Sequence, residues 1–365
     1  MSATATSVVG AQTVPRLTVD ARVLTSENPL LLSGDDDRGA VLMEVTARPG
    51  VSITTANGST VDLGAVVTER GYSRRYGSVV IGSLTGRVEY RDSEYFSVLV
   101  TGAASRDLAV DLLTSSVDAP ADPSGARNAY TGQLSLAVRP DEHLRITPSI
   151  GISKSDFTNA SILRNTRAID IGLAVANQFS ERLRLGGRGG VVFNDVAGLT
   201  SANTQFLYAT ADYRLGAAWR ATGELGVERS DARSATLLAR VLLSGRGTLC
   251  YTAPEPTLCV NGSLNSEVSG VGGLQRRAVI GGSLHQRFGE RTSLSVDAAY
   301  QRSFVQGDAF PPFDAIRTTA LLERRIGRRV TVAAEVQYLR RRLVQGRRIG
   351  AGFAGVRLTY AVQRR

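Results

Sequence analysis

The chain has 365 residues, of which 42% are hydrophobic, and its mean hydropathy is -0.05. These values and the lack of any run of 18 apolar residues exclude a bundle of membrane-spanning helices. The net charge is +10, every basic residue except Lys154 is an arginine, and the arginines are scattered without interleaved aromatic residues, which argues against a nucleic-acid partner.

Alternation of apolar and polar residues is the dominant pattern, and no long segment shows the 3.6-residue period of a helix. Side chains along a strand point to opposite faces in turn, so a period of two predicts strands with unlike faces. The segment 329–338 shows the pattern most clearly, with Val330, Val332, Ala334, Val336 and Tyr338 on one face. Many such strands with almost no helix predict a closed barrel with lipid outside and water inside.

In chain order the alternation predicts about eighteen antiparallel strands, an even number as expected for a bacterial outer-membrane barrel. The count is even only if residues 257–266 form a strand, which puts the turn between Cys250 and Cys259 on the periplasmic side. The predicted strands are 15–25, 39–50, 58–70, 78–91, 94–104, 127–139, 143–154, 165–178, 182–194, 203–215, 218–229, 234–250, 257–266, 275–288, 292–304, 313–326, 329–342 and 348–362.

The connections alternate in length. Short polar turns lie at 91–94, 140–143, 180–182, 215–217, 289–291 and 327–329, and longer Gly/Ser/Asp/Pro-rich connections lie near 25–38, 105–126, 154–164, 195–203, 265–275, 304–313 and 341–348. Short periplasmic turns with longer external loops are typical of outer-membrane barrels. The predicted fold is therefore all-β, a transmembrane antiparallel up-and-down barrel; a soluble β-sandwich is the alternative, but it rarely has loops that are long on one side only.

The barrel is predicted to be one domain over residues 15–362, with a short segment at each end. Residues 1–14 are interpreted as a residual signal sequence or N-terminal tail, because residues 8–12 resemble the end of a signal peptide. Residues 363–365 form a C-terminal tail. An outer-membrane location requires export, so a signal peptide is expected that is missing or truncated in this sequence.

The predicted lipid-facing side carries aliphatic residues such as Ile171, Leu173 and Leu185. Aromatic residues on this side cluster near both ends of the strands, as in the two girdles that mark the bilayer interfaces. Tyr90, Tyr213, Trp219 and Phe288 lie near short turns, and Tyr130, Phe193, Tyr300 and Tyr338 lie toward long loops.

The other side of the strands carries ionisable residues, which must face water because an arginine at the bilayer midplane costs about 2–4 kcal/mol. The residues predicted to line the lumen and to contact a polymer or an anion are Arg87, Arg145, Arg184, Arg188, Arg220, Arg317, Arg357, Glu224 and Glu335. A barrel of this size is too wide for side chains to fill, so an aqueous channel is expected. The arginine excess favours anionic or polyhydroxylated solutes; alternatively, it reflects a GC-rich genome and the charges pair across the lumen.

Cys250 and Cys259 flank a segment that contains two prolines. The prolines predict a turn, and the spacing fits a disulfide across a hairpin end. A disulfide would imply an oxidising compartment such as the periplasm, and two free thiols are the alternative. No metal site is expected, because the two histidines, His143 and His285, lie in other hairpins.

A basic cluster surrounds one predicted external loop; it consists of Arg340, Arg341, Arg342, Arg347 and Arg348. Guanidinium groups bind phosphate through paired hydrogen bonds, so the cluster is a candidate site for lipopolysaccharide phosphates. A solvated charge run is the alternative. The expected partners are outer-membrane lipid and lipopolysaccharide, besides a polysaccharide substrate.

The sequence contains no P-loop for nucleotide binding and no Gly-x-Ser-x-Gly motif of a hydrolase. The glycine-rich segment 186–190 lies inside a predicted strand, where glycine eases bending or close packing. The chain is therefore predicted not to be an enzyme and to need no cofactor. A barrel-borne enzyme that modifies lipid or polysaccharide is the alternative.

Short motifs recur after defined strands: Glu-Asn-Pro-Leu at 27–30, Tyr-Ser-Arg-Arg-Tyr-Gly at 72–77, Ser-Glu-Arg and Gly-Glu-Arg at 180–182 and 289–291, and the two-cysteine segment 249–263. With these motifs, nearly the whole chain resembles a family of proteobacterial outer-membrane β-barrels whose genes commonly accompany exopolysaccharide synthesis and export genes. The C-terminus departs from that family, whose barrels usually end on an aromatic residue, because residues 361–365 follow Tyr360.

The resemblance implies a polymer-conducting porin that works with a periplasmic polysaccharide-export protein and an inner-membrane copolymerase. Together with the arginine-rich lumen, it predicts a conduit for an acidic exopolysaccharide in the bacterial outer membrane. Besides the barrel-borne enzyme, a general diffusion porin and a surface-binding structural protein are the alternatives.

Overall fold

The computed structural model describes residues 11–33, 39–74, 76–122, 125–158, 163–198, 201–232, 240–253, 255–271, 273–305, 312–342 and 346–363. Most of the predicted tail 1–14 lies outside these residues, as do two of the three residues of the tail 363–365. No helix in the described part of the chain is long and apolar enough to cross a membrane.

Eighteen strands make up nearly all of the described chain, as predicted. They are β1 (Gln12–Ser26), β2 (Ala40–Thr54), β3 (Thr60–Tyr72), β4 (Ser78–Arg91), β5 (Phe96–Leu108), β6 (Ala126–Val138), β7 (Leu144–Thr158), β8 (Thr166–Gln178), β9 (Leu183–Val196), β10 (Ala202–Arg214), β11 (Trp219–Ala232), β12 (Arg240–Thr252), β13 (Thr257–Ser269), β14 (Gly273–Phe288), β15 (Thr292–Val305), β16 (Phe313–Arg325), β17 (Val330–Arg342) and β18 (Arg348–Gln363).

The sheet is closed and antiparallel. Each strand pairs with the next in the chain, and β1 pairs with β18 over Arg16↔Gln363 to Ser26↔Phe353. The predicted fold class is therefore confirmed. Closure gives every strand two neighbours, so no strand of the barrel has one edge free along its whole length.

Connections at one end of the barrel are short turns, and most of those at the other end are longer. Gly216 and Gly289 lie in two of the short turns with φ values of 100° and 75°, a left-handed conformation that glycine adopts without strain. One predicted long connection, 265–275, is wrong: β13 and β14 continue through most of it and leave only residues 270–272 between them. The first strand also begins at Gln12 rather than at residue 15.

The two faces of the strands differ as the alternation predicts. Large apolar side chains such as Val241, Leu243 and Leu207 are exposed on the outer surface. The exposed apolar side chains of all the strands together cover far more area than the apolar patches of a soluble monomer, so the outer surface requires lipid. Charged side chains line the inner surface.

Part of the interior is filled by the connection between β5 and β6. Its described residues 109–122, here called the inward loop, begin with a 3₁₀ helix, Ala109–Leu112, and turn into the barrel. Val110 and Leu113 of this loop are buried with Leu31 of the first connection. The apolar core they form inside the long-loop half also contains Leu24, Leu42, Leu108, Ala126, Ala315, Leu339, Ile349, Ala351 and Phe353.

Candidate functional site in the lumen

The nine predicted lumen residues all point into the barrel, because in each strand they alternate with the apolar residues that are exposed on the outside. We call this inward-pointing set of positions the inward phase of a strand, and the alternate set the outward phase. Several of them form contacts with one another or with neighbouring inward residues. Arg188 pairs with Glu224 at 3.1 Å, and Arg357 pairs with Glu335 at 2.5 Å. Arg87 bonds to Glu89, Arg184 to Gln178, Arg220 to Asp212 and Arg317 to the Asp111 carbonyl.

An ion-pair ladder runs along one side of the inner wall. Arg22 of β1 pairs with Glu44 of the neighbouring strand β2 at 2.9 Å and, across β18, with Glu335 of β17 at 3.1 Å. Arg70 of β3 then bonds to Glu44 at 2.8 Å and to Asp111 of the inward loop at 3.0 Å. The ladder therefore comprises Arg357, Glu335, Arg22, Glu44, Arg70 and Asp111, and its alternating signs leave little free charge on this side.

A second charged group lies on β9, β11 and β12. Glu224 accepts hydrogen bonds from Arg188 at 3.1 Å and pairs with Arg246 at 3.0 Å. The Arg188 guanidinium also lies over the rings of Phe206 and Tyr208, with its central carbon 4.9 and 5.3 Å from their centroids. Two cations on one carboxylate leave a net positive charge, and the aromatic rings add flat apolar faces beside it.

This second group borders a cavity of about 580 Å³ between β6 and β14. A cavity of this size is typical of small-molecule sites. Its wall combines cations, carboxylates, amides and hydroxyls, including Arg127, Arg167, Asn194, Thr204 and Asn265. The side chains of Arg127 and Arg188 both line this cavity, and their buried Nε atoms have no hydrogen-bond partner among the described residues.

The inward loop is held by contacts with strands on the far side of the barrel. Arg277 donates to the Thr114 carbonyl at 2.7 Å, and Gln301 donates to the Ser116 carbonyl at 2.8 Å. Asp118 accepts hydrogen bonds from Ser269 Oγ at 2.6 Å and Gly270 N at 3.0 Å. Burial raises the pKa of the Asp118 carboxyl to about 6, and these two hydrogen bonds oppose the shift.

The assignment of Arg341 to the predicted external basic cluster is wrong. Its side chain is buried and donates to the carbonyls of Leu31, at 3.1 Å, and Pro120, at 2.9 Å, so it pins the first connection and the inward loop together. An inward phase on β17 puts it on the opposite face from Arg340 and Arg342. The other members, Arg340, Arg342, Arg347 and Arg348, remain near the long-loop rim, where Arg342 lies 3.9 Å from Asp314.

The predicted aromatic residues all lie in the outward phase of their strands. Tyr90, Tyr213, Trp219, Phe288, Tyr130, Phe193 and Tyr338 are exposed, and Tyr300 is half-buried opposite the exposed Ile280. Cys250 and Cys259 face each other across β12 and β13 and are joined by a disulfide. Both cysteines are in the inward phase, so the disulfide lies on the lumen side.

Chemistry beyond binding has little support in the described residues. His285 Nδ1 lies 3.0 Å from Ser295 Oγ, a pair that the sequence alone does not place. No described carboxylate contacts this histidine, so the pair lacks the third member of a hydrolytic triad. The described part of the chain also contains no group of three or more residues that could hold a metal ion. The absence of an enzymatic function stays a prediction.

Several lumen residues are absent from the predicted set, namely Arg22, Glu44, Arg70, Phe206, Tyr208 and Arg246. All lie in the inward phase of a predicted strand, so the alternation could have found them. The inward loop is different, because its buried residues Val110, Leu113 and Val117 carry no pattern that distinguishes an inward loop from an external one.

Comparisons with known proteins identify the fold. No protein-family model and no curated protein matches the chain. Pseudomonas aeruginosa OccK2 (OpdF) in complex with glucuronate is 13% identical, covers 98% of this chain and 99% of its own, and has a TM-score of 0.52. P. aeruginosa OpdQ is 7% identical over 96% and 97%, with a TM-score of 0.52. The P. aeruginosa outer membrane protein opdK is 10% identical over 96% and 98%, with a TM-score of 0.51.

These structures share the barrel architecture along their whole length, and at such low identity the likeness concerns the fold. A closed barrel of eighteen strands with an apolar exterior spans a bacterial outer membrane, as the sequence predicts. No comparison bears on an association with exopolysaccharide export.

Proposed function

We propose that this barrel is a passive outer-membrane channel for small hydrophilic anions, with hydroxylated carboxylates as the preferred class. The observation that carries the proposal is the cavity beside Arg188, where the guanidinium groups of Arg188 and Arg246 share the Glu224 carboxylate and two further arginines, Arg127 and Arg167, line the wall. Such a wall offers paired N–H donors to a carboxylate.

The lining also suits hydroxyl groups. Asn194, Thr204 and Asn265 supply donors and acceptors, and the half-buried Phe206 ring supplies an apolar face of the kind that packs against the C–H face of a sugar ring. Glucuronate, which is bound in one of the structurally similar proteins, combines both features and is a suitable probe.

The dimensions favour a small solute over a polymer. The inward loop fills part of the long-loop half, and it is anchored by buried contacts that a chain of sugars would have to displace. Export of an acidic exopolysaccharide, which the resemblance implies, therefore ranks below small-solute passage. Partnership with a periplasmic export protein or with lipopolysaccharide stays a prediction.

The test is single-channel recording of the purified protein in planar bilayers. We expect discrete steps of current. In a KCl gradient their reversal potential should lie toward the equilibrium potential of chloride, and sodium glucuronate, but not glucose, should interrupt the current. Replacing both Arg188 and Arg246 with Gln removes charge-assisted hydrogen bonds, each worth about 1.5–3 kcal/mol, so block should weaken at least tenfold.

The matched control is Arg291→Gln in a short turn, which lies outside the cavity and should leave block unchanged. Cation selectivity, or equal block by glucose and glucuronate, would contradict the proposal. Passage of an oligomeric uronate of about ten sugars without prolonged block would instead favour the polymer conduit.

A further inference from the structure

The barrel wall is incompletely paired between β12 and β13. The ladder between these strands runs from Thr252↔Thr257 to Gly245↔Leu264 and stops there, although both strands continue. Residues 240–244 of β12 keep their pairing with β11, and residues 265–269 of β13 keep their pairing with β14. Residues 240–244 of β12 and 265–269 of β13 are therefore separated from each other, and the gap between them is here called the β12–β13 opening.

Residues 265–269 of β13 are separated from β12 because this part of β13 bends into the barrel. The Ser266 N–H bonds to the Glu228 carboxylate of β11 at 2.9 Å instead of to β12. Ser269 and Gly270 bond to Asp118 of the inward loop, and the Gly270 carbonyl accepts from Arg164 N at 3.1 Å. The β13–β14 hairpin is thus attached to the contents of the lumen.

The opening lies near the outer interface of the bilayer. Ser244 is 8 residues from the short-turn end of β12 at Thr252, since 252 − 244 = 8. The girdle residues Tyr300 and Tyr338 are also 8 residues from the short-turn ends of β15 and β17, since 300 − 292 = 8 and 338 − 330 = 8. The outer rim of the opening is apolar, because Val241 and Leu243 are 66% and 60% exposed.

A similar gap between β4 and β5 is closed. The ladder there stops at Gly82↔Arg106 because the chain turns inward after Leu108. Val79 and Ile81, beside that gap, pack against the apolar core around the inward loop. Behind the β12–β13 opening lies the 580 Å³ cavity, whose wall includes Gly245, Ser266, Val268 and Leu274.

Unpaired backbone at membrane depth is tolerated only where it is buried in protein or lines a polar cavity. One group at the edge of β12 is satisfied, since Arg276 donates to the Leu243 carbonyl across the gap. A single bridging side chain does not close a five-residue stretch of edge, and the cavity wall on the inner side of this edge is polar and includes Glu228, Arg246 and Ser266.

We propose that the β12–β13 opening is a lateral binding site for an amphiphile with an anionic, hydroxyl-rich head. The head occupies the cavity beside Arg188 and Arg246, and the alkyl chain leaves between the two strands along Val241, Leu243 and Val268. The choice of head rests on the proposed function, whereas the lateral path rests on the strand pairing alone.

The experiment compares three probes in planar bilayers: sodium glucuronate, n-dodecyl β-D-glucuronide and n-dodecyl β-D-maltoside. The dodecyl glucuronide should block at a concentration at least tenfold below that of glucuronate, because only a few buried methylenes supply this factor. The maltoside, with a neutral head, should block far less.

Val268→Trp fills the opening and should abolish the advantage of the dodecyl chain while leaving block by glucuronate unchanged. Val260→Trp is the control, since Val260 lies in the same phase of the same strand but within the paired part. Unblocked conductance equal to that of the native protein shows that both variants fold.

Equal block by glucuronate and its dodecyl form in the native protein would overturn the lateral site and leave the proposed channel intact. If the dodecyl form still blocks at a lower concentration than glucuronate in Val268→Trp, the lateral site is also overturned. No effect of glucuronate in any form, with the dodecyl maltoside active, would overturn both the anionic head and the proposed function.

Discussion

Single buried carboxylates inside the lumen connect the loop that narrows the barrel to the strands around it. Asp118 is the clearest case, because it is 5% exposed and its partner Ser269 is 151 residues away in the chain. Burial favours its neutral form, so the docked loop binds a proton more tightly than a released loop, in which the carboxyl titrates near its ordinary pKa of 3.8.

The stability of docking should therefore depend on pH. It is greatest below about pH 4, falls as the pH rises from about 4 to 6, and is constant above 6, with a total change of up to about 3 kcal/mol. Single-channel records should show more frequent loop-dependent substates at pH 7 than at pH 4. In Asp118→Asn, the substates at pH 7 should be as infrequent as those of the native protein at pH 4.

The control for this prediction is Asp141→Asn in an exposed short turn. Hydrogen bonds from the Leu144 and His143 N–H groups lower the pKa of Asp141, so it does not titrate between pH 4 and 7. Substates that keep their pH dependence in Asp118→Asn would show that another group controls the loop.

The ion-pair ladder makes a second prediction at the residue scale. Glu335 is 3% exposed and is the ion-pair partner of both Arg22 and Arg357. Glu335→Gln keeps its shape but leaves two guanidinium groups without a full counter-charge, so anion selectivity in a KCl gradient should increase. Glu290→Gln in a short turn is the control, and a shift toward cations would contradict the ladder's role in screening the lumen.

Removing a buried charge partner also destabilises a protein, by about 3–5 kcal/mol for a fully buried pair. The Arg22 side chain is partly exposed to the lumen, so the cost at Glu335 should lie below that range. Denaturant unfolding in detergent micelles measures this cost independently of selectivity.

At the scale of elements, the strands could be predicted and the inward loop could not. The alternation of β17, for example, is fixed locally, because each side chain must match either lipid or water. The loop is fixed by distant contacts, such as that of Gln301 with the Ser116 carbonyl, 185 residues apart. The same reason explains the error over 265–275, where β13 bends inward to meet Asp118.

The inward loop should determine the conductance. Replacing residues 109–122 with a short Gly/Ser connection removes the buried plug, so the conductance should rise several-fold toward that of an open aqueous barrel. Planar-bilayer recording measures the change, and replacing the turn at 289–291 with Asn-Gly is the control at the other end. An unchanged conductance would mean that the narrowest point lies elsewhere, as around Arg145 and Arg184 near the short turns.

At the scale of the whole molecule, the site depends on closure of the barrel. The polar inner wall is tolerated because the outer wall supplies the apolar surface, and both arise from the same two-residue period. Sequence alone therefore predicts which residues line the lumen, such as Arg188 and Glu224. It does not predict which of them meet, because pairs such as Arg188–Glu224 depend on the register of three strands.

The membrane position of the whole barrel can be measured with its single tryptophan. Trp219 is exposed on the outer face at the short-turn end of β11, packed against Tyr251 with ring centroids 5.0 Å apart. Aromatic residues of a girdle lie at the interface, so lipids brominated near the carbonyl should quench its fluorescence more than lipids brominated near the chain ends. Trp219→Phe should abolish the signal, and adding Tyr300→Trp to that variant should restore interfacial quenching from the opposite girdle. Stronger quenching by chain-end bromines at both positions would place the girdles in the hydrocarbon and contradict this orientation of the barrel in the bilayer.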